Sequence, residues 1–264
     1  PKSSSTDIPH VTITDHKIGI HNVLNPKKGE FLGLVAVNNS MPSYLSKAKA
    51  YLKQYERFAQ NPIYLDSAKF YLDKHKDSKH KDHLVVKYYY LKEDFNSLLN
   101  YSMSMRNSEI PKEDLAITFA RIGEACLALD MSFKALEYFK LARKHAPFNL
   151  IYSTKLGVLY INNNQLDSAQ NIFENILSLY PMNKEALLNI GYIFILKKKY
   201  EDAKQKLEYL IQLEPDYLLA YENIILLYLK QNNNVIAKRY LNKILEINPN
   251  YEIKSNIIKK LILN

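Results

Sequence analysis

The sequence predicts an all-α fold, a solenoid of stacked helical hairpins, and three observations lead to this class. First, small residues and prolines recur every 34 residues through the second half of the chain. Second, the apolar residues between them recur every three to four positions, which is the period of an amphipathic helix. Third, the 264 residues include only six glycines and no tryptophan, which favours long regular elements with few tight turns. A repeat of this length is one supersecondary unit that buries its apolar side against its neighbours.

Three residue types stay in phase with the period. They are Gly123, Gly157 and Gly191; Ala135, Ala169, Ala203 and Ala237; and Pro147, Pro181, Pro215 and Pro249. In "AITFARIGEACLAL" the apolar residues have helical spacing, "DMS" interrupts the run, and "FKALEYFKLARKHAP" resumes it, so each unit is predicted to be helix, turn and helix. The glycine allows the alanine side of the second helix to approach closely, and the proline ends that helix because its ring cannot continue the hydrogen-bond ladder. Four units are expected, at about 116–149, 150–183, 184–217 and 218–251.

These residues resemble the tetratricopeptide repeat, whose pattern is a large residue, then Leu-Gly, Tyr, Ala, Phe, Ala and Pro. "KLGVLY" followed by Ala169, Phe173 and Pro181 matches it best. The fourth unit departs from the pattern because Ile225 stands where glycine is expected, and we expect its two helices to sit slightly apart. The resemblance implies a right-handed α-solenoid from about residue 43 onward.

The segments on both sides of the four repeats are predicted to extend the helical stack. "SYLSKAKAYLKQYERFA" with "PIYLDSAKFYLDKH", and "DHLVVKYYYL" with "DFNSLLNYSMSM", look like two degenerate helix pairs. In "YEIKSNIIKKLILN", Ile253, Ile257 and Leu261 predict a final helix that covers the open end of the stack. The expected organisation is an extended segment over 1–42, degenerate pairs over 43–113, four repeats over 114–251 and a capping helix over 252–264.

In stacks of this family the first helix of each pair lines the concave surface, which implies a partner-binding groove. Counting from the repeat starts, the inward positions are Arg121, Glu124, Leu127, Lys155, Val158, Ile161, Asn189, Tyr192, Ile195, Asn223, Leu226 and Leu229. They predict a groove with an apolar floor and a sparse polar rim, suited to an extended peptide or a helix of a protein partner. The alternative is that several of them pack on the neighbouring helix and meet no partner.

Some members of this family hold the C-terminal carboxylate of a peptide with lysine and asparagine at set inward positions. Here Ala120 and Glu124 occupy two of the places where the first repeat would need them. We therefore expect the groove to bind an apolar segment, which could belong to the same polypeptide, and not a chaperone tail.

Three of the seven histidines lie in "PHVTITDHKIGIH", which is β-branched and alternating and is predicted to be extended. "PKSSSTDIPHVTITDH" resembles the stretch directly after the last CxxCH haem motif of multihaem c-type cytochromes that are fused to tetratricopeptide repeats. "FLGLVAVNN" resembles the join to their helical part. The resemblance implies that His10 and His16 are candidate second axial ligands of haems carried upstream, with Asp15 available to orient a histidine. The alternative is that they are surface or hydrogen-bonded histidines without a haem.

The chain cannot carry such a haem alone, because a c-type haem needs the two cysteines and the histidine of CxxCH and this chain has one cysteine, Cys126. We expect no cofactor within the chain and haem c in an upstream region. The resemblance implies a scaffold attached to a bacterial periplasmic or cell-envelope cytochrome that takes part in electron transfer. The alternative is a general adaptor with no redox connection, which would be cytoplasmic.

Other function classes are disfavoured by composition. The net charge of +9 is spread along the chain without a Lys/Arg block interleaved with aromatics, so no nucleic-acid partner is expected. No apolar run approaches the ~20 residues of a membrane span. There is no nucleophile–base arrangement, phosphate-binding glycine loop or zinc spacing, so we expect neither an enzyme nor a metal site. "KHKDSKHKDH", Lys74 to His83, is predicted to be a solvated loop between two helices, and Cys126 to be a core residue.

Overall fold

The computed structural model describes residues 18–19, 35–36, 41–58, 60–76, 80–105 and 110–252. The chain divides into two compact units, residues 1–111 and 112–264. The first unit contains β1 (Ile18–Gly19), β2 (Val35–Ala36), α1 (Tyr44–Arg57), α2 (Pro62–Lys74), α3 (Asp82–Leu91) and α4 (Phe95–Ser102). The second contains α5 (Lys112–Ala128), α6 (Ser132–His145), α7 (Leu150–Asn162), α8 (Leu166–Leu179), α9 (Lys184–Leu196), α10 (Tyr200–Leu213), α11 (Leu218–Lys230) and α12 (Asn234–Ile247). The predicted all-α class is confirmed.

The two strands form a short antiparallel pair in the first unit, with Ile18 opposite Ala36 and Gly19 opposite Val35. β1 belongs to the histidine-containing stretch for which an extended conformation is predicted. The remainder of that stretch, including His10 and His16, lies outside the described residues.

Three helices of the first unit, α1, α2 and α4, begin at side chains that cap their free amide groups. Ser43 Oγ accepts from the Ser46 amide at 3.1 Å before α1, and Asn61 Oδ1 accepts from the Ile63 amide at 3.1 Å before α2. Asp94 caps α4 in the same manner. These caps satisfy donors that a helix start leaves without an intrahelical acceptor, which explains why the elements begin at these residues.

The core of the first unit lies between α1, α2 and α3. Its buried members are Ala48, Tyr51, Leu52, Tyr64, Leu65, Ala68, Leu72, Leu84 and Tyr88. Tyr71 stacks on both Tyr44 and Tyr51, with ring centroids 6.2 and 5.7 Å away, which places amphipathic rings at the boundary between core and solvent.

A solvated loop is predicted for Lys74 to His83, and this prediction is wrong for its last two residues. α3 already begins at Asp82, and both Asp82 and His83 are buried, whereas His80 is exposed in the turn before them. The Tyr101 hydroxyl donates a 2.6 Å hydrogen bond to Asp82 Oδ1, which allows the carboxylate to be buried. Burial and this hydrogen bond raise the pKa of Tyr101.

In the second unit the helices form four hairpins, α5/α6, α7/α8, α9/α10 and α11/α12, which correspond to the four predicted repeats. The in-phase glycines are where the two helices of a hairpin meet. A Cβ atom at Gly157 would lie 2.6 Å from the Phe173 ring, and one at Gly191 would lie 2.7 Å from Leu207. In the fourth hairpin Ile225 is fully buried in a cluster with Ala237, Leu241 and Ile244.

The turn inside each hairpin contains one residue in the left-handed region. Asp130, Asn164, Lys198 and Asn232 have φ between 55° and 59°, and they are again 34 residues apart. This conformation lets the next amide reach back to the last turn of the first helix, as when the Gln165 amide donates to the Tyr160 carbonyl at 2.8 Å. The hairpins are therefore closed by the same backbone motif despite different residue types.

The prolines follow the ends of the second helices as predicted, because α6, α8, α10 and α12 each end two residues before one of them. Cys126 is fully buried, which confirms its place in the core. The capping helix predicted for 252–264 falls almost wholly outside the described residues. Among the helices that the structure describes, none combines the length and apolar character needed to cross a bilayer.

Candidate functional site: the first-helix face of the repeats

The first helices of three successive repeats contact one another along the second unit. α7 contacts α9, and α9 contacts α11, whereas each second helix packs mainly on its own partner and on the next first helix. Contacts between successive second helices in the described part are at most slight. Between α7, α9 and α11 the first helices therefore approach one another more closely than the second helices do.

Each first helix exposes one line of residues, or stripe, to solvent, and the stripes of the four helices together form the surface that we call the first-helix face. In α7 its members are Ile151, Val158 and Asn162, the exposed residues of that helix. Steps of seven and eleven residues return to the same side of a helix within about 20°, so these residues form a single line. The same positions in the other repeats are Ile117, Glu124 and Ala128; Glu185, Tyr192 and Leu196; and Leu219, Leu226 and Lys230.

Four of the twelve groove residues predicted from the sequence lie on this stripe: Glu124, Val158, Tyr192 and Leu226. Six others lie on its two flanks and are half-buried: Leu127, Lys155, Ile161, Asn189, Asn223 and Leu229. The remaining two are buried, with Arg121 8% and Ile195 2% exposed. Ile195 therefore offers a partner no surface, because α9 is flanked by first helices on both sides.

Sequence reasoning missed the apolar residues at the start of the stripe. Ile117, Ile151 and Leu219 are 37%, 64% and 40% exposed, and Leu196 at the far end is 37% exposed. The sequence could have indicated these residues, because they lie on the side of each first helix that faces away from the glycines recurring every 34 residues. They give the first-helix face a more apolar character than the predicted residues alone.

A small cluster of polar side chains lies at the α5 end of this face. The Lys155 ammonium on α7 bonds the Glu124 carboxylate on α5, so the pair joins two neighbouring repeats. Tyr152 lies close to both Arg121 and Glu124: burial raises the pKa of its phenol, Arg121 opposes the shift, and Glu124 adds to it.

Farther along, two asparagines on the flank bond backbone carbonyls. Asn189 Nδ2 donates to the Glu185 carbonyl at 2.7 Å, within α9. Asn223 Nδ2 lies 3.5 Å from the Leu188 carbonyl, which connects α11 to α9. The Asn223 amide therefore helps to hold two adjacent repeats in register, whereas the Asn189 bond stays within its own helix.

The structure provides no test of the histidine ligands, since His10 and His16 lie outside the described residues. Within the described ranges no three His, Cys, Asp or Glu side chains gather into a group that could hold a metal ion. The one cysteine is buried in α5, where burial raises the pKa of its thiol. The described residues therefore do not fit covalent attachment of a c-type haem.

Comparison with known proteins agrees with this architecture. Residues 154–181 and 185–217 match the tetratricopeptide repeat family. A tetratricopeptide repeat protein from Parabacteroides merdae ATCC 43184 is similar in structure, with a TM-score of 0.64 at 18% identity, over 82% of this chain and 86% of that one. A MamA protein is similar with a TM-score of 0.53 at 17% identity, over 66% and 98% of the two chains. MamA from Desulfovibrio magneticus RS-1 has a TM-score of 0.51 at 13% identity, over 81% and 99%.

At these identities the similar structures show the fold alone. No curated protein matches the chain. The repeat family matches the second and third predicted units, and the hairpins before and after them have the same glycine, turn or proline positions. Residues 154–181 and 185–217 of this chain therefore match tetratricopeptide repeats, within an all-α solenoid of helical hairpins.

Proposed function

We propose that the chain is a non-catalytic protein-interaction scaffold whose first-helix face binds an apolar segment of a protein partner. The observation that carries this proposal is the set of exposed apolar side chains along the stripes of the four first helices: Ile117, Ile151, Val158, Leu196 and Leu219. They are held on packed helices and not on loops, so little ordering cost accompanies binding.

The exposed apolar side chains supply part of the free energy of binding. Full burial of one such side chain is worth about 1.5–3 kcal/mol, so burying the remaining exposed part of five of them contributes several kcal/mol. Association itself costs an amount of the same order, so a stable complex also needs contacts with the flanks of the face. A partner with apolar side chains on one side, as an extended peptide or an amphipathic helix, fits this pattern.

The test uses peptides selected from a displayed library against the full chain. The selected peptides should be rich in aliphatic or aromatic residues, and their affinity should fall at least tenfold for the double variant Tyr192→Ala with Leu226→Asp. Phe133→Ala serves as the matched control, since Phe133 is 74% exposed but lies on the second helix of its repeat. Unchanged binding by the double variant, with its circular dichroism spectrum intact, would contradict the proposal.

A photo-crosslinking amino acid gives an independent readout of the same surface. Placed at Val158, which is 37% exposed on the stripe, it should capture the selected peptide. Placed at Phe133 it should not. Equal capture at both positions would show that the peptides bind without regard to the first-helix face.

A finer proposal concerns the context of this scaffold: it serves as the C-terminal part of a cell-envelope multihaem c-type cytochrome that transfers electrons. The support is the resemblance of residues 1–16 to the stretch after a CxxCH motif, with His10 and His16 as axial ligands. Haem c would be attached upstream, because Cys126 is the single cysteine and is buried. A general adaptor without a redox connection remains the alternative.

These two contexts are distinguished by native material from the complete gene. The cytochrome context requires CxxCH motifs upstream of Pro1 and a Soret absorption band in the purified product, with the protein in the cell envelope. A colourless full-length product would leave the adaptor as the function. The peptide-binding result stands apart from this outcome, because it depends only on the repeats.

A further inference from the structure

Charged side chains are few on the first-helix face, and one exposed carboxylate within it has no counterion among the described residues. Three of the residues on the four stripes are charged: Glu124, Glu185 and Lys230. Glu124 is bonded to Lys155, and Lys230 is the last residue of α11. Glu185 is exposed in the first turn of α9, and no described residue forms an ion pair or a hydrogen bond with its carboxylate.

The lysine beside Glu185 is directed toward other groups. The Lys184 ammonium lies 3.8 Å from a carboxylate oxygen of Glu214 and 5.5 Å from the centroid of the Tyr217 ring. Burial raises the pKa of the Tyr217 phenol, and the Glu185 and Glu214 carboxylates raise it further. With the exposed Asp216, three acidic residues stand against one lysine at the starts of α9 and α11. The local charge is therefore negative, although the whole chain carries +9.

The fold does not require a carboxylate at position 185. The equivalent residues of the other three first helices are Ile117, Ile151 and Leu219. A carboxylate in the first turn complements the helix dipole. However, α7 and α11 are 13 residues long, as α9 is, and they form with an aliphatic residue at this position. The carboxylate is therefore a property of this surface and not of the repeat.

Glu185 lies between two exposed aliphatic side chains of the neighbouring repeats. α9 contacts α7 on one side and α11 on the other, and packed helices lie about 8–10 Å apart. Ile151 and Leu219, at the same height on those helices, are 64% and 40% exposed. Tyr192 lies two turns farther along α9, about 10 Å away. The face therefore presents one negative group with apolar surface on three sides.

Basic residues elsewhere on the second unit are too far away to neutralise Glu185. Lys230 lies on the next helix and is displaced from Leu219 by about 16 Å along the axis, whereas salt screens charges over about 8 Å. The basic last turn of α6 packs beside α7, which lies between α6 and α9 in the stack. A cationic side chain against Glu185 would thus meet an uncompensated carboxylate, and apolar neighbours that exclude water would strengthen the attraction.

We propose that Glu185 determines the specificity of the first-helix face by binding a lysine or arginine that the partner segment carries between two apolar residues, about 10 Å from each. This inference rests on the proposed binding function and adds the chemistry of the bound segment. In a polyproline II segment the three side chains are three residues apart, and in a helix they are seven residues apart. The apolar residues supply contact area, and the cation decides which segments bind and in which register.

The test uses peptides selected from a displayed library against the full chain. They should share a lysine or arginine flanked by apolar residues. Replacement of this basic residue by glutamine should lower the affinity roughly three- to tenfold, and Glu185→Gln should lower the affinity for the parent peptide by the same factor. For the glutamine peptide, Glu185→Gln should change nothing, because the ion pair is already lost.

Fluorescence anisotropy measures the four combinations at low and at high salt. Salt should weaken binding most in the combination that retains both charges. Glu201→Gln is the matched control, since Glu201 is also an exposed glutamate at the second position of its helix, but α10 is the second helix of its repeat. It should leave the affinity unchanged.

A charge reversal completes the test. Glu185→Lys should bind the parent peptide more weakly than the unaltered chain does, and should bind a peptide with glutamate in place of its basic residue more tightly. Peptides that depend on Tyr192 and Leu226 but show no coupling to Glu185 overturn this inference and leave the binding function standing. Failure to select any peptide that depends on the first-helix face overturns both.

Discussion

Gly157 is the position at which the packing of a hairpin can be tested most directly. It lies in the middle of α7, where replacement of glycine by alanine ordinarily stabilises a helix by about 1 kcal/mol. A Cβ at this position would lie 2.6 Å from both Cε2 and Cζ of Phe173. Carbon atoms prefer a separation of 3.5–4.0 Å, so the overlap is about 1 Å. Phe173 is fully buried, so relief of the overlap requires its rigid ring to shift within the packed core.

The overlap outweighs the gain in helix propensity. Overpacking a core of this kind costs about 1–3 kcal/mol or more, and we expect Gly157→Ala to lower the free energy of unfolding by about 1–2 kcal/mol net. The melting temperature should fall by roughly 3–6 °C for a chain of this size. Denaturant unfolding followed by circular dichroism measures the same change as a shift of the midpoint.

Two further variants distinguish local packing from a general effect of alanine. Asn171→Ala, at an exposed position inside α8, should stabilise the chain by a few tenths of a kcal/mol. Phe173→Leu should reduce the cost of Gly157→Ala, because the fourth hairpin already buries Ile225 beside Leu241. A Gly157→Ala variant as stable as the parent chain, or no coupling between positions 157 and 173, would refute the reasoning.

Three smaller predictions concern a cap, a turn and a titration. Asn183→Ala removes the side chain that accepts from the Ala186 amide at 2.8 Å and should cost about 1 kcal/mol in a denaturant midpoint measurement. Lys198→Gly should raise the melting temperature, because lysine holds φ at 59° there, whereas Lys198→Ile should lower it. Burial and the Glu222 carboxylate raise the pKa of Tyr251 from 10.0 to about 12. The stability this supplies is complete below pH 10 and is lost as the pH rises toward 12, so Tyr251→Phe should flatten the dependence of unfolding free energy on pH in that interval. An unchanged slope would contradict the assignment.

The hairpin unit could be derived from the sequence because it depends on local chemistry repeated in phase. The glycine, alanine and proline of the second repeat, Gly157, Ala169 and Pro181, each mark a physical requirement: a close approach, its opposing surface and a helix end. When a sequence repeats these three requirements several times at a constant spacing, its helices can bury their apolar faces in few ways other than by stacking as hairpins. The class of fold and the number of hairpins in the second unit followed from this alone.

Other features of the fold are not marked by residue types that recur at a constant spacing. The left-handed turn residue is Asp130, Asn164, Lys198 or Asn232, and the change of residue type conceals the constant conformation. Asp82 and His83 lie in a polar stretch and are nevertheless buried, and the Asp82 carboxylate accepts a hydrogen bond from the Tyr101 hydroxyl of α4. Contacts made by residues 19 positions apart in sequence are not visible in the local pattern.

The sequence by itself determined which helices could form the candidate site, and the tertiary structure decided which of their side chains are exposed. Ile195 and Leu229 hold the same repeat position, yet Ile195 is buried and Leu229 is only half-buried. α9 has a first helix on each side, whereas in the described part α11 has one on one side alone. Periodicity assigns a residue to a side of its helix, but its exposure depends on what the neighbouring repeats place beside it.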